Sequence, residues 1–380
     1  MTYKLKRNNK LLISVMGVLV IIGALIVLSA SSTYSLEKAN SFTTFFNHHL
    51  MVVGMGLLFF VLGMIFPYQF YVKFTKWFLL AIVFLLIATL LFGENVKGAT
   101  RWLDVGFFKF QPSEFAKIIL IVHIAYMIHR LGDRISSFKH GLLYPLIWIG
   151  GIAFLIMLQP NMSTSFIITF VGLVMLFVGG AKFKHFASVS AVLILFVVGM
   201  MLVFPHSRHR ITTFFNSGGV AEKINDQVYQ AQIGLGSGGL TGVGLGKSKQ
   251  ANLFVSESYG DFIFSILGEE LGFIGTLFVA TMYLLVFFVA LLQMKNIQDK
   301  FGQMLIFGLS FNIVITAFIN IAVVLGMFPT TGITLPFISY GGSSLAMFAF
   351  SIGVIINVSA EGRVLRLRKR LVRLSEYFGK

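Results

Sequence analysis

LLISVMGVLVIIGALIVLSA, residues 11–30, is an unbroken apolar stretch without a single charged side chain. A helix that crosses a bilayer needs roughly 20 mostly apolar residues. In lipid, only structures that satisfy their own backbone hydrogen bonds are tolerated. The stretch therefore predicts a first membrane-spanning helix. It follows a basic start (Lys4, Lys6, Arg7, Lys10) and exceeds the apolar core of a cleavable signal peptide, so it is expected to act as an uncleaved signal anchor.

Nine further segments of the same kind lie downstream: 47–66, 74–93, 114–131, 141–159, 162–180, 185–205, 262–294, 302–327 and 337–359. With 11–31 they predict an all-α, polytopic membrane protein of ten transmembrane helices, with a large extracellular loop between helices 7 and 8. The run at 262–294 exceeds one crossing, so its ends are expected to protrude or lean. The whole is read as one transmembrane domain over residues 1–365, with 206–260 as an ordered extracellular cap. Residues 366–380 form a basic cytoplasmic tail, expected as an amphipathic helix on anionic lipid.

Composition agrees. Of the 380 residues, 57% are hydrophobic and only 12% charged, about half the charged share of soluble domains. The chain has no cysteine, which excludes disulfides and thiolate metal sites. A formal charge of +16 suggests nucleic acid, but the cations sit in short loops between apolar runs. With both termini inside, cytoplasmic segments hold 20 of the 30 Lys and Arg residues and external segments hold 9, the bias expected of that orientation. Most acidic residues fall outside, so chemistry that needs carboxylates is expected to face outward.

Four constellations stand out. Glu257-Ser-Tyr-Gly-Asp261 precedes the eighth helix. If that helix begins by Glu257, the two carboxylates share a face, and Ser265, Gly268 and Gly272 continue below Asp261 as a seam for close helix packing. The plainer reading is an acid favouring the helix dipole. Glu269 and Glu270 lie two turns deeper, as a paired acid, an interface group or part of the site. The second constellation is Lys97-Gly-Ala-Thr-Arg101-Trp102 with Gln111-Pro-Ser-Glu114-Phe-Ala-Lys117. It reads either as an internal Glu114–Lys117 ion pair or as Arg101 and Lys117 on a phosphate beside Trp102. Ser113 is a plausible capping residue.

The third is the glycine-rich stretch 234–246 with Lys247 and Lys249, a turn or an anionic-headgroup site. It is not a Walker loop, because Thr241 stands where the first glycine is required. The fourth, Pro329 to Ser344, breaks the apolar run with two prolines and several glycines. It reads as a tight turn, or as hydroxyl donors such as Ser339 and Ser343 facing a pocket. No zinc-protease spacing, nucleophile elbow or dinucleotide fingerprint is present.

Taken together and in order, these motifs resemble the SEDS family (shape, elongation, division and sporulation), whose members include FtsW, RodA and SpoVE. The carrying residues are Arg101-Trp102, Gln111 to Lys117, Arg210-Ile-Thr-Thr-Phe, Gly236 to Leu240, Gly242 to Gly246, Ser248-Lys-Gln, Asp261-Phe-Ile-Phe, Gly268 to Gly272 and Leu335 to Ser344. Gly-Lys-Ser-Lys-Gln and Gly-Ile-Thr-Leu-Pro look more like the FtsW/SpoVE branch. The resemblance implies ten transmembrane helices in the bacterial plasma membrane. It implies a peptidoglycan glycosyltransferase that polymerises lipid II and pairs with a class B penicillin-binding protein.

The family's essential aspartate falls on Asp261, as base or as ligand of a divalent cation (Mg or Mn), the one cofactor left open. Arg101, Lys117, Arg210 and Lys247 are the candidates for holding pyrophosphate, with Trp102, Glu114, Glu257, Ser339 and Ser343 beside the substrate. The chain departs from the family pattern at Val255-Ser-Glu257, at Tyr259-Gly260, at Asn161 in place of aspartate, and at Asn216-Ser-Gly-Gly. A lipid II flippase and a noncatalytic scaffold for the partner are the competing classes. The crowding of unusual residues on the outer side favours chemistry there.

Overall fold

The computed structural model describes residues 7–96, 99–104, 106, 109–203, 227–253 and 259–378. The helices are α1 (Arg7–Ala39), α2 (Thr44–Ile65), α3 (Tyr68–Phe92), α4 (Pro112–Leu131), α5 (Leu143–Leu158) and α6 (Met162–Gly179). They continue with α7 (Phe183–Val203), α8 (Gln227–Ser237), α9 (Lys249–Leu253), α10 (Ile263–Met294), α11 (Lys300–Val324) and α12 (Gly342–Phe378). Among the described residues, nine helices are long and apolar enough to cross a membrane: α1 to α6 and α10 to α12. The chain is an all-α, multi-pass membrane protein, and α7 occupies the predicted seventh place with 21 residues.

Polar residues punctuate the apolar runs. Pro112 opens α4 behind Gln111, and Gly132 closes it with φ of 52°. The Asn161 side chain caps α6 by accepting from the Thr164 N–H. Asp299 caps α11 through the N–H groups of Phe301 and Gly302. Such caps satisfy donors that a helix start leaves unpaired. Ser113, expected as a cap, instead accepts a hydrogen bond from the Asn161 amide at 3.3 Å.

The most enclosed crossings are α11 and α12, while α2, α3 and α10 are the most open. On α3, Trp77, Phe84 and Leu91 point outward, as expected of a lipid-facing surface. Packing between α2 and α12 depends on missing side chains. A Cβ on Gly353 would lie 2.2 Å from the Phe60 carbonyl oxygen, and one on Gly63 would lie 2.5 Å from that of Phe350. No larger residue fits at either place without parting the helices.

Three expectations are corrected. The run 262–294 is divided: Gly272 breaks it with φ 68° and ψ −168°, and there the Phe273 and Ile274 N–H groups donate to the Gly239 and Leu240 carbonyls instead of to the preceding helical turn. The nine residues before the break form a half-helix of about 13 Å, and the 22 after it reach about 33 Å, enough for one crossing. The last crossing starts at Gly342 rather than 337, and its helix runs unbroken into the tail as far as Phe378. The tail is therefore a continuation of α12 rather than a separate element. The segment between α3 and α4, to which the sequence assigned no element, forms three short antiparallel strands, β1 (Glu94–Val96), β2 (Ala99–Asp104) and β3 (Lys109–Phe110). In it Val96 faces Ala99, and Leu103 faces Phe110.

Of the predicted cap, residues 204–226 and 254–258 lie outside the described residues, and Arg210 and Glu257 with them. The described part, 227–253, packs into the bundle. Gln230, Ala231 and Gly234 are buried, and the Ser265 hydroxyl donates to the Ala231 carbonyl at 2.7 Å.

Candidate functional site

Asp261 lies in the turn just before α10, with Phe262 as the N-cap and no side-chain cap bond. The helix starts at Ile263, after Asp261 and not by residue 257 as the shared-face reading required. The Asp261 backbone is held firmly. Its carbonyl accepts from Asn320 Nδ2 at 2.7 Å, and the same nitrogen donates to the Ile333 carbonyl at 2.7 Å. One residue earlier, the Gly260 carbonyl accepts from the Ser339 hydroxyl at 2.8 Å. The Tyr340 N–H donates to the Tyr259 carbonyl at 3.0 Å.

The broken segment 329–344 is thus the wall beside Asp261. A Cβ on Gly332, where φ is 73°, would stand 3.4 Å from Asp261 Oδ2, so the absence of a side chain leaves the carboxylate approachable. Ser339, read as a donor to substrate, is 2% exposed and closes the turn itself, accepting from the Leu335 N–H at 2.7 Å. The Tyr340 hydroxyl lies 2.6 Å from His48 Nδ1. Burial holds the Tyr340 phenol above the ordinary tyrosine value, so it stays a neutral hydroxyl across the physiological range.

Other candidates join this wall through a chain of contacts. Arg101, on β2, donates to the carbonyls of Gln159 and Pro160. Asn161 follows and reaches Ser113 of α4. The Gln111 N–H donates to the Ser343 hydroxyl at 3.1 Å, and the Ser163 hydroxyl donates to the Thr331 carbonyl at 2.7 Å. The starts of α4, α6 and α12 and the turn before α10 therefore meet at one end of the bundle. Trp102, half-buried, sits opposite Glu94 in the strand pair.

Beneath this end, Glu114 and Lys117 form an ion pair of 2.9 Å, with side chains 8% and 4% exposed. The Lys117 ammonium also lies over the Phe348 ring, 5.3 Å from its centre. Each partner's nearest charged group among the described residues is the other.

The glycine-rich stretch does bind anions, and they are its own. Glu269 accepts from the Ser248 hydroxyl at 2.5 Å, the Lys249 N–H at 2.9 Å and the Gln250 N–H at 3.3 Å. Glu270 accepts from the Gly246 N–H at 3.1 Å and from Ser29 of α1. Neither carboxylate has a basic side-chain partner among the described residues, contrary to the paired-acid reading. Lys247 is exposed on this turn and, among the described residues, takes no part in the contacts around Asp261. Gly242, at φ 81°, has room for no Cβ, which would lie 2.1 Å from the Glu270 carbonyl oxygen. Gly242→Ala is expected to cost more than about 1 kcal/mol and to lower the thermal midpoint of the purified protein. An unchanged midpoint would refute the close packing.

Among the described residues, no three His, Asp or Glu side chains come together as a ligand set. Asn320 escaped the sequence reading, because one amide inside an apolar helix looks like interhelical glue. Asn320→Ala leaves two buried carbonyls without their donor, at about 1–3 kcal/mol each. It is expected to destabilise the protein and to slow the reaction, since the backbone of Asp261 loses a tether. Wild-type stability in this variant would contradict the geometry.

Comparison with known proteins adds to this geometry. The family model described as "Cell cycle protein", FTSW_RODA_SPOVE, matches residues 9–364. "Stage V sporulation protein E" of Bacillus subtilis (strain 168) is 36% identical over 372 residues, covering 96% of this chain and 100% of that protein. "Probable peptidoglycan glycosyltransferase FtsW" of Geobacter sp. (strain M18) is 33% identical over 348 residues, covering 91% and 95%. A chain of the solved structure described as "Structural coordination of polymerization and crosslinking by a peptidoglycan synthase complex" superposes with a TM-score of 0.77 at 21% identity, over 95% of this chain and 99% of that one. At that identity the likeness speaks for the fold. The end-to-end match to the family model and to these relatives shows that the chain belongs to the FtsW/RodA/SpoVE family of cell cycle proteins, the SEDS family, on its FtsW/SpoVE branch.

Proposed function

We propose that this chain is a peptidoglycan glycosyltransferase that polymerises lipid II at the outer leaflet of the bacterial plasma membrane. The observation that carries the reading is the setting of Asp261. The residue is partly exposed at the end of the bundle where these turns meet, while its backbone is tied to α11 and to the 329–344 wall. A base must be held still relative to the hydroxyl it serves.

In the proposed reaction, Asp261 takes the proton from the 4-hydroxyl of an incoming lipid II GlcNAc. The oxygen attacks the anomeric carbon of the terminal MurNAc of the growing strand, with inversion. The bond to the lipid pyrophosphate breaks, and polyprenyl pyrophosphate leaves with the electron pair. Cations near the departing phosphates lower the barrier. Arg101 is the described cation nearest in the chain of contacts to the wall. Lys247 and Arg210 are further candidates, and Lys117 acts through its pair with Glu114. Trp102 and Ser343 border the same end, and Glu257 precedes Asp261 in the chain.

In this reading α7 makes the tenth crossing, and both termini are cytoplasmic, as the Lys and Arg bias requires. The partner is a class B penicillin-binding protein, supported by the structural likeness to a chain of a synthase complex. The role in division, elongation or sporulation follows the relatives' names. The test is purified protein with lipid II, with and without the partner. Glycan strands and released polyprenyl pyrophosphate are expected. Headgroup translocation in liposomes without any glycan product would make the chain a flippase instead. Normal division in cells carrying only an Asp261→Ala copy would make it a scaffold.

A further inference from the structure

Asn312, Thr316 and Asn320 stand one turn apart on α11, and each is 1% exposed. Residues four apart on a helix have Cβ atoms about 5–6 Å from each other. The row turns by about 40° per step, so the three form one slowly winding stripe. Its inner end lies near Gly308, where a Cβ would meet Ile121 of α4 at 2.7 Å and Met175 of α6 at 2.6 Å. Its outer end is Asn320, bonded to the carbonyls of Asp261 and Ile333. The stripe therefore runs through protein, not lipid, along its whole length.

Its hydrogen bonds do not close. Neither Nδ2 nor Oδ1 of Asn312, nor Oδ1 of Asn320, has a protein partner among the described residues. The Thr316 hydroxyl donates to the Asn312 carbonyl at 2.6 Å and still has lone pairs to accept with. A buried polar group left unmade costs about 1–3 kcal/mol, and here three stand in one row. A cation would serve the two amide oxygens but repel the Asn312 N–H donors. An anion would do the reverse. Water both donates and accepts, and a single molecule bridges polar atoms about 4.5–5 Å apart with two bonds of ordinary length, within reach of side chains whose Cβ atoms are one turn apart.

We propose that α11 carries a site for a short file of ordered waters, held by Asn312, Thr316 and Asn320, which fixes the Asn320 amide beneath Asp261. The consequence for catalysis rests on the assignment of Asp261, while the site itself does not.

Two measurements test it on the full chain in lipid nanodiscs. A density map that resolves waters is expected to show them within about 3.2 Å of the Asn312 amide and of Asn320 Oδ1. A map with ordered waters elsewhere in the bundle but none there overturns the proposal. The second measurement is the sign of a stability change. If the amide is dry, Asn312→Leu removes an unmet polar group and the thermal midpoint rises. If the file is present, leucine displaces a water, strands Thr316 and Asn320, and lowers the midpoint by about 2–4 °C. A rise sinks the idea. Asn312→Ser keeps a hydroxyl and room for water, and is expected to fall between the leucine variant and wild type. Wild-type protein inactive on lipid II would refute the function and leave the map to decide the site.

Discussion

Asp261→Asn is expected to lower lipid II polymerisation by about 10²–10⁴-fold, the usual share of a positioned base. The substitution is nearly isosteric. It keeps the carbonyl that Asn320 holds at 2.7 Å and the neighbouring bond from Ser339 to Gly260, so the fold and the thermal midpoint should survive. What it removes is the proton acceptor. The loss is therefore expected in kcat, with little change in KM for lipid II, because the group acts in the transition state and not in holding the ground state. The measurement is the initial rate of strand formation at saturating lipid II, alongside a melting curve. A variant that folds and polymerises within a few-fold of wild type would remove Asp261 from the base role and leave the site without its central group.

The second large effect concerns stability. Breaking the Glu114–Lys117 pair by Glu114→Gln leaves an ammonium whose side chain is only 4% exposed without its counter-charge, over the face of Phe348. Removing one partner of a buried pair costs about 3–5 kcal/mol, while removing both is often close to neutral. Lys117→Met strands the carboxylate in the same way. The double variant E114Q/K117M is thus expected to be more stable than either single variant, as read from unfolding in mixed micelles. A double variant no more stable than the singles would mean that the two charges answer to something other than each other.

Much of this architecture is legible in the sequence, for a simple reason. Apolar runs of crossing length leave the chain few alternatives in lipid, so most helices lie close to their predicted places, while the first and last run on well beyond theirs. The break at Gly272 is hidden because a glycine within an apolar helix equally signals close packing, and here it does both. Its Cβ would clash with the Gly242 nitrogen at 2.3 Å. The short strands at 94–110 are too brief to show alternation. Asp261 is legible as a carboxylate where a helix meets water. Its supports are not, because Asn320 is distant in the chain and Ser339 looks like any turn hydroxyl. Glu269 and Glu270 read as deep charges in need of cations, whereas N–H and hydroxyl donors from a segment some twenty residues upstream, with Ser29 of α1, bond both oxygens of Glu269 and one of Glu270.

The interruption at Gly272 has a bearing on the membrane itself. Bilayers differ in hydrocarbon thickness, and a long crossing helix accommodates the mismatch by changing its inclination. Were α10 a single rod, every such adjustment would swing its first residue sideways. With the rod divided, Phe273 to Met294 can adapt to a thinner or thicker host, while the short piece behind Asp261 stays clamped to α8 and the glycine turn. If Asp261 is the base proposed above, this division would uncouple it from lipid thickness, and the polymerisation rate is expected to vary little between short-chain and long-chain vesicles.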